Sequence, residues 1–133
     1  MKKKNIIFVC TGNTCRSPMA EIILKNKLKL VGVDNIKVSS AGLSATAGEK
    51  ISRNSLLALK QLGYKAYAFK SKPLTHKAIL KADLVLCMTA SHKNWLKGYD
   101  NVFTIAEVTG LGDINDPYGG DLNTIIFINI IIN

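Results

Sequence analysis

Short apolar runs alternate with helix-patterned segments along this chain, and that alternation limits what it can fold into. Asn5 to Val9, Ile36 to Ser40, Leu84 to Met88 and Val102 to Thr104 read as brief buried strands. Between the first two, Met19, Ile22, Ile23, Leu28 and Leu30 form a core-facing helical stripe that Gly32 ends. Ser17 is placed to cap that helix, Pro18 suits its first turn, and Glu21 favours its positive end. Ser52 starts a second helix with Leu56, Leu57, Leu59 and Leu62 inside, ended by Gly63. Thr75 caps a short helix from His76 to Ala82, and Ser91 opens another that contains Trp95. Strands alternating with helices predict an α/β fold: right-handed crossovers and a parallel sheet covered on both faces. Sites in such sheets lie beyond the carboxyl ends of the strands, where Cys10, Ser40, Met88 and Thr104 fall.

The joint after the first strand carries the chemistry. Cys10 ends the apolar run and opens the polar loop Thr11-Gly12-Asn13-Thr14-Cys15-Arg16, which enters a helix through Ser17-Pro18. Backbone N–H groups of such a loop converge on one oxyanion, and the helix N-terminus adds positive potential there. The same field favours the thiolate form of a cysteine, so nucleophile and anion cradle coincide. Arg16 suits a bidentate grip on two phosphate oxygens. A cation at a helix start opposes the dipole, which itself argues for a bound anion. Gly12 allows close backbone approach, and Asn13 suits a left-handed conformation with its amide bracing the loop. Ser17 is a donor to the thiolate, a helix cap, or both. A phosphoryl group on sulfur needs a proton donor for the departing group and then a base for water. Asp116, in Asp116-Pro117-Tyr118-Gly119-Gly120, is the candidate, with Asp113 as the alternative; a plain turn is the competing reading. His76 and His92 read as surface residues.

The chain has 133 residues, enough for one domain, and 47% of them are hydrophobic, so it is globular. Its three cysteines, at 10, 15 and 87, make neither a disulfide framework nor a zinc knuckle, and reduced thiols are the natural reading. Cys10 and Cys15 are close enough in sequence for a reversible disulfide, or Cys15 is a packing residue; Cys87 reads as core. Met-Lys-Lys-Lys at the start resembles a signal-peptide n-region, but four apolar residues before Cys10 are too few for one. A cytoplasmic protein without membrane attachment is expected. The net charge of +9 suits acidic, phosphorylated partners. The lysines are scattered without aromatic interleaving, which argues against nucleic acid. Every Lys and Arg precedes Gly98. The ending, Leu122 to Asn133, has no charge and no helical period, and reads as low-complexity.

Val9-Cys10-Thr-Gly-Asn-Thr-Cys-Arg-Ser-Pro-Met-Ala-Glu21 resembles the signature of the low-molecular-weight protein-tyrosine-phosphatase family. Ser40-Ala41-Gly42, Ala82-Asp83-Leu84-Val85-Leu86 with Met88-Thr89, and Asp116-Pro117-Tyr118-Gly119-Gly120 match that family in the same order. The resemblance covers about residues 4 to 122. It implies a three-layer sandwich with a four-stranded parallel sheet, order 2-1-3-4, in a single domain over 1–133 whose closing helix is atypical or truncated. It implies Cys10 as nucleophile through a cysteinyl-phosphate, Arg16 as phosphate binder and Asp116 as general acid. Thr11, Gly12, Asn13, Thr14, Cys15 and Tyr118 would bind substrate, and Asn13, Ser17 and Ser40 would brace the loop. No cofactor or metal is implied; the partners would be phosphorylated proteins. Family members usually carry a His shortly before Ser71 to Thr75, where this chain has Phe69 or Lys70.

Thr14 occupies a position that tyrosine-directed members usually fill with a bulkier aliphatic residue, and threonine there is typical of the bacterial protein-arginine-phosphatase branch. A hydroxyl beside the reacting centre suits a guanidinium better than a phenyl ring. Leu43-Ser-Ala-Thr-Ala47 also lacks an aromatic wall, leaving Tyr118 as the main one. Phosphoarginine is therefore expected over phosphotyrosine. The alternatives are arsenate reduction on the same scaffold, which needs further relay thiols, and a catalytically impaired phosphate-binding remnant.

Overall fold

Side-chain alternation along the first strand decides which residues meet which layer. In the computed structural model, which describes residues 4–109, β1 (Lys4–Cys10) is followed by α1 (Arg16–Leu30), β2 (Ile36–Gly42) and α2 (Arg53–Gln61). Then come α3 (His76–Lys81), β3 (Leu84–Cys87), α4 (Ala90–Asn94), β4 (Val102–Thr104) and α5 (Ile105–Thr109). The strands form one parallel sheet in the order β2-β1-β3-β4. Ile6, Phe8 and Cys10 pack on one face with Met19, Ile22 and Ile23 of α1, Leu59 of α2 and Ile105. Ile7 and Val9 pack on the other with Ile79, Ala82 and Val85. The expected three layers and strand order are present. Because side chains alternate with a period of two, Cys10 shares its face with α1.

β2 pairs with β1 over seven residues, from Lys4 opposite Ile36 to Cys10 opposite Gly42, so it runs two residues beyond the expected Ser40. Ala41 and Gly42 are poor strand formers, and pairing with β1 overrides their preference. Phe8, Met19, Ile22, Ile23 and Leu59 are fully buried. Each such side chain contributes about 1.5–3 kcal/mol. α1 stops at Leu30, and Gly32, two residues on with a φ of 75°, turns the chain so that its N–H reaches Lys29 O and Val33 N–H reaches Leu28 O.

Several expected core positions face outward. Leu30 is 86% exposed, beyond the last turn that contacts the sheet. In α2, Ser55, Ala58 and Leu59 are buried and Leu57 is 48% exposed. Residues two apart on a helix point to opposite sides, so Leu57 and Leu59 cannot both face the core. Ser52 caps α2 and Thr75 caps α3 as expected, accepting from the N–H groups of Ser55 and Ala78. α4 opens one residue early, capped by Thr89, and Trp95 is its exposed C-cap. No helix among the described residues is long and apolar enough to cross a membrane. Asp113, Asp116, Tyr118 and the segment 122–133 lie outside the described residues.

Leu59→Ala should cost about 2–5 kcal/mol. Leu57→Ala should stay within about 0.5 kcal/mol. Urea denaturation of the two variants, followed by circular dichroism, measures the difference.

Candidate active site

The loop after β1 is held from outside through its carbonyls. Cys10 O accepts from Leu43 N–H at 3.0 Å, Thr11 O from Ser44 N–H at 3.0 Å, and Thr14 O from Ser52 N–H at 2.7 Å. Cys15 O accepts from Met19 N–H at 3.2 Å as the first turn of α1. A trans peptide points its N–H opposite to its carbonyl. The N–H groups of Thr11, Gly12 and Cys15 are therefore turned away from those outer anchors, and that of Arg16 points out of the helix start. Such an arrangement can hold an oxyanion, at the N-terminus of a 15-residue helix with no acidic residue in its first turn.

Asn13 organises the interior of the loop. It is fully buried and has a φ of 56°, as its residue type predicts. Its Nδ2 donates to Ser17 Oγ and to Ser40 Oγ, both at 2.9 Å. Its Oδ1 accepts from Lys72 N–H at 2.9 Å. The whole carboxamide is thus satisfied. Ser17 Oγ lies 2.9 Å from Cys10 Sγ. Asn13 fills one lone pair of that oxygen and leaves the Ser17 hydroxyl hydrogen free to point at Cys10; against a thiolate, Ser17 is the partner with a hydrogen to donate. Ser17 does not cap the helix: the N-cap is Cys15, and no side chain caps it. Ser40 passes its own hydrogen onward to Glu21 Oε1 at 2.7 Å.

Glu21 is not a helix-dipole residue as expected. It is buried in the second turn, where Lys25 Nζ donates to Oε2 at 3.0 Å and Tyr67 OH also donates. Sequence reading missed it; the one available signal was an acid between Ala20 and Ile22, on the core-facing side of the stripe. Gly42 was also missed as a requirement. A Cβ there would lie 2.6 Å from Thr11 O and 3.0 Å from Asn13 N, both backbone atoms of the loop. Gly12, by contrast, has room for a Cβ, with Thr14 Oγ1 at 3.8 Å its nearest neighbour.

Arg16, the first residue of α1, is only 7% exposed, which suits a guanidinium built into the site. His92 overturns its surface reading: it is 6% exposed and its Nε2 lies 3.0 Å from Thr11 Oγ1. His76 is exposed as expected. Cys10, Cys15 and Cys87 are free thiols. Cys15 Sγ accepts from Ser55 Oγ at 3.2 Å. Cys87 is fully buried, and that burial pushes its thiol up to about 12, which makes it inert packing. Where the family's usual His is missing, Ser71 ties the neighbouring segment down: its Oγ accepts from Glu49 N–H at 2.9 Å and donates to Thr46 O.

The family model for low molecular weight phosphotyrosine protein phosphatase matches residues 5–131. The chain belongs to that family. It is a hydrolase, a cysteine-dependent protein phosphatase. It is 44% identical over 126 residues to a protein-arginine-phosphatase of Bacillus subtilis, covering 90% of this chain and 83% of that protein. It is 39% identical over 127 residues to the low molecular weight protein-tyrosine-phosphatase PtpB of Staphylococcus epidermidis, covering 89% and 84%. The solved structure of a YwlE arginine phosphatase mutant, with a phosphorylated active-site serine, superposes with a TM-score of 0.86. That match is 37% identical and covers 96% of this chain and 90% of the other.

In this phosphatase the loop's shape depends on β2 ending in a residue without a side chain. Gly42→Ala should weaken binding of inorganic phosphate at least tenfold while the far-ultraviolet spectrum stays native. Isothermal titration calorimetry on the folded variant measures it.

Proposed function

We propose that the phosphatase hydrolyses phosphoarginine in proteins in preference to phosphotyrosine, through a cysteinyl-phosphate. The observation that carries the covalent step is Ser17 Oγ at 2.9 Å from Cys10 Sγ, close enough for the serine to donate to a thiolate. Cys10 thiolate attacks phosphorus, and the bond from phosphorus to the guanidino nitrogen breaks. Arg16 and the loop N–H groups hold the equatorial oxygens, with Gly12, Asn13 and Cys15 supplying backbone. Asp116 delivers the proton to the leaving nitrogen and then takes one from the water that releases phosphate. Ser17 keeps sulfur a good leaving group in that second step by donating to it. The phosphorylated serine in the similar YwlE mutant supports an intermediate carried on the enzyme.

Substrate preference rests on Thr14 and on the likeness to protein-arginine-phosphatases. A hydroxyl in the loop next to the nucleophile pairs with guanidino N–H groups, whereas a tyrosine-directed pocket gains from an aliphatic surface there. Tyr118 would form the aromatic wall. The family match over 5–131 supports one domain spanning 1–133. Phosphorylated cytoplasmic proteins, rather than nucleic acids, are the proposed partners.

Cys10→Ser should abolish turnover, to below a thousandth of the wild-type rate, yet still bind phosphate; appreciable hydrolysis would remove Cys10 as the nucleophile. Thr14→Ile should move the ratio of kcat/KM for phosphoarginine over phosphotyrosine peptides about tenfold towards phosphotyrosine, as pocket changes of this size do. An unchanged ratio in side-by-side assays would refute the role of Thr14.

A further inference from the structure

His92 lies 81 residues from the loop in sequence, yet its buried imidazole is fixed at both nitrogens. Thr89 N–H donates to Nδ1 at 3.2 Å, and His92 N–H donates back to Thr89 Oγ1 at 3.2 Å, completing a capping box at the start of α4. A nitrogen that accepts from a backbone N–H carries no proton, so the neutral ring carries its hydrogen on Nε2. Nε2 lies 3.0 Å from Thr11 Oγ1 and is therefore the donor in that contact. Thr11 Oγ accepts from behind, and its own hydrogen is left to donate elsewhere. Thr11 follows the nucleophile directly and is exposed, whereas the imidazole that pins it is buried.

We propose that His92 is a positioning residue that fixes the Thr11 hydroxyl as a hydrogen-bonding wall beside Cys10, selective for a polar guanidino leaving group over a phenyl ring. The inference rests on the phosphoarginine reading and adds a second hydroxyl to the one that Thr14 supplies. A freely rotating Thr11 would present its methyl as readily as its hydroxyl. The backbone-anchored imidazole removes that choice before substrate arrives, which is preorganisation of the kind that raises specificity. α4 thereby reports to the loop through one hydrogen bond, although it belongs to a different strand crossover.

Two substitutions at His92 separate the cap from the contact. In His92→Asn, Oδ1 takes the place of Nδ1 and keeps the Thr89 cap, but nothing reaches Thr11. In His92→Gln, the amide reaches towards Thr11 but the cap is weakened. The full chain, its two His92 variants, Thr11→Val and the double variant His92→Asn/Thr11→Val are assayed on phosphoarginine and phosphotyrosine peptides. His92→Asn and Thr11→Val should each lower kcat/KM on phosphoarginine about fivefold or more and lower it on phosphotyrosine by a clearly smaller factor. The double variant should be no worse than either single one, since both remove the same contact, and His92→Gln should recover most of the loss. Multiplying losses in the double variant, equal losses on both substrates, or a fully active His92→Asn would overturn the proposal. Should His92→Asn fail to fold, Thr11→Ser against Thr11→Val tests the contact from the side that leaves the cap intact. Preference of the wild type for phosphotyrosine would instead overturn the phosphoarginine reading, and positioning would then be judged on additivity and glutamine rescue alone.

Discussion

The carboxamide of Asn13 is the hub on which the loop depends. It sits at positive φ inside the turn, and one side chain ties together the first turn of α1, the end of β2 and the segment at Lys72. The carboxamide, Ser17 and Ser40 are all buried. Leaving such a group unsatisfied costs about 1–3 kcal/mol, so the three elements hold one another in register. The loop's carbonyls are anchored outward to Leu43, Ser44 and Ser52. Between the inner hub and the outer anchors, little conformational freedom remains to the loop.

The network also has a direction. Asn13 can only donate through Nδ2, so neither serine hydrogen points back at it; Ser40 donates to Glu21, and Ser17 Oγ lies against Cys10 Sγ. The buried carboxylate therefore ends the chain at the side remote from the thiol, where Lys25 and Tyr67 complete its shell. A carboxylate adjacent to sulfur would oppose the thiolate and repel the substrate. Two intervening hydroxyls let Glu21 orient the network without that penalty. Near the position of the family's usual histidine, the Lys72 N–H donates to the hub, and the Ser71 hydroxyl ties its segment to Glu49 and Thr46.

Family membership fixes the reaction type; on the proposal made above, a few side chains around the loop tune what is dephosphorylated. On that proposal the backbone of the loop holds phosphate, and the hydroxyls of Thr11 and Thr14 act on the leaving-group side. The chain is similar to both arginine- and tyrosine-directed phosphatases, so one scaffold serves both and specificity lies in the site.

The sequence by itself determined the α/β class, the strand positions, the capped starts of α2 and α3, and the Cys10–Arg16 loop with Asn13 in a left-handed turn. All of these rest on local physics: hydrophobic period, cap chemistry and φ preference within a few residues. Tertiary structure alone decided that Ser17 faces sulfur instead of capping α1, that Glu21 ends a buried network, that β2 runs on to Gly42, and that His92 reaches Thr11. Each of those depends on a partner from 19 to 81 residues away or on the pairing of β2 with β1 — except Ser17, whose partner Cys10 is seven residues off but across the strand–helix joint. Leu30 and Leu57 look like core in sequence and lie outside it, because which turn of a helix meets the sheet is set by packing and not by the residue's own hydrophobicity.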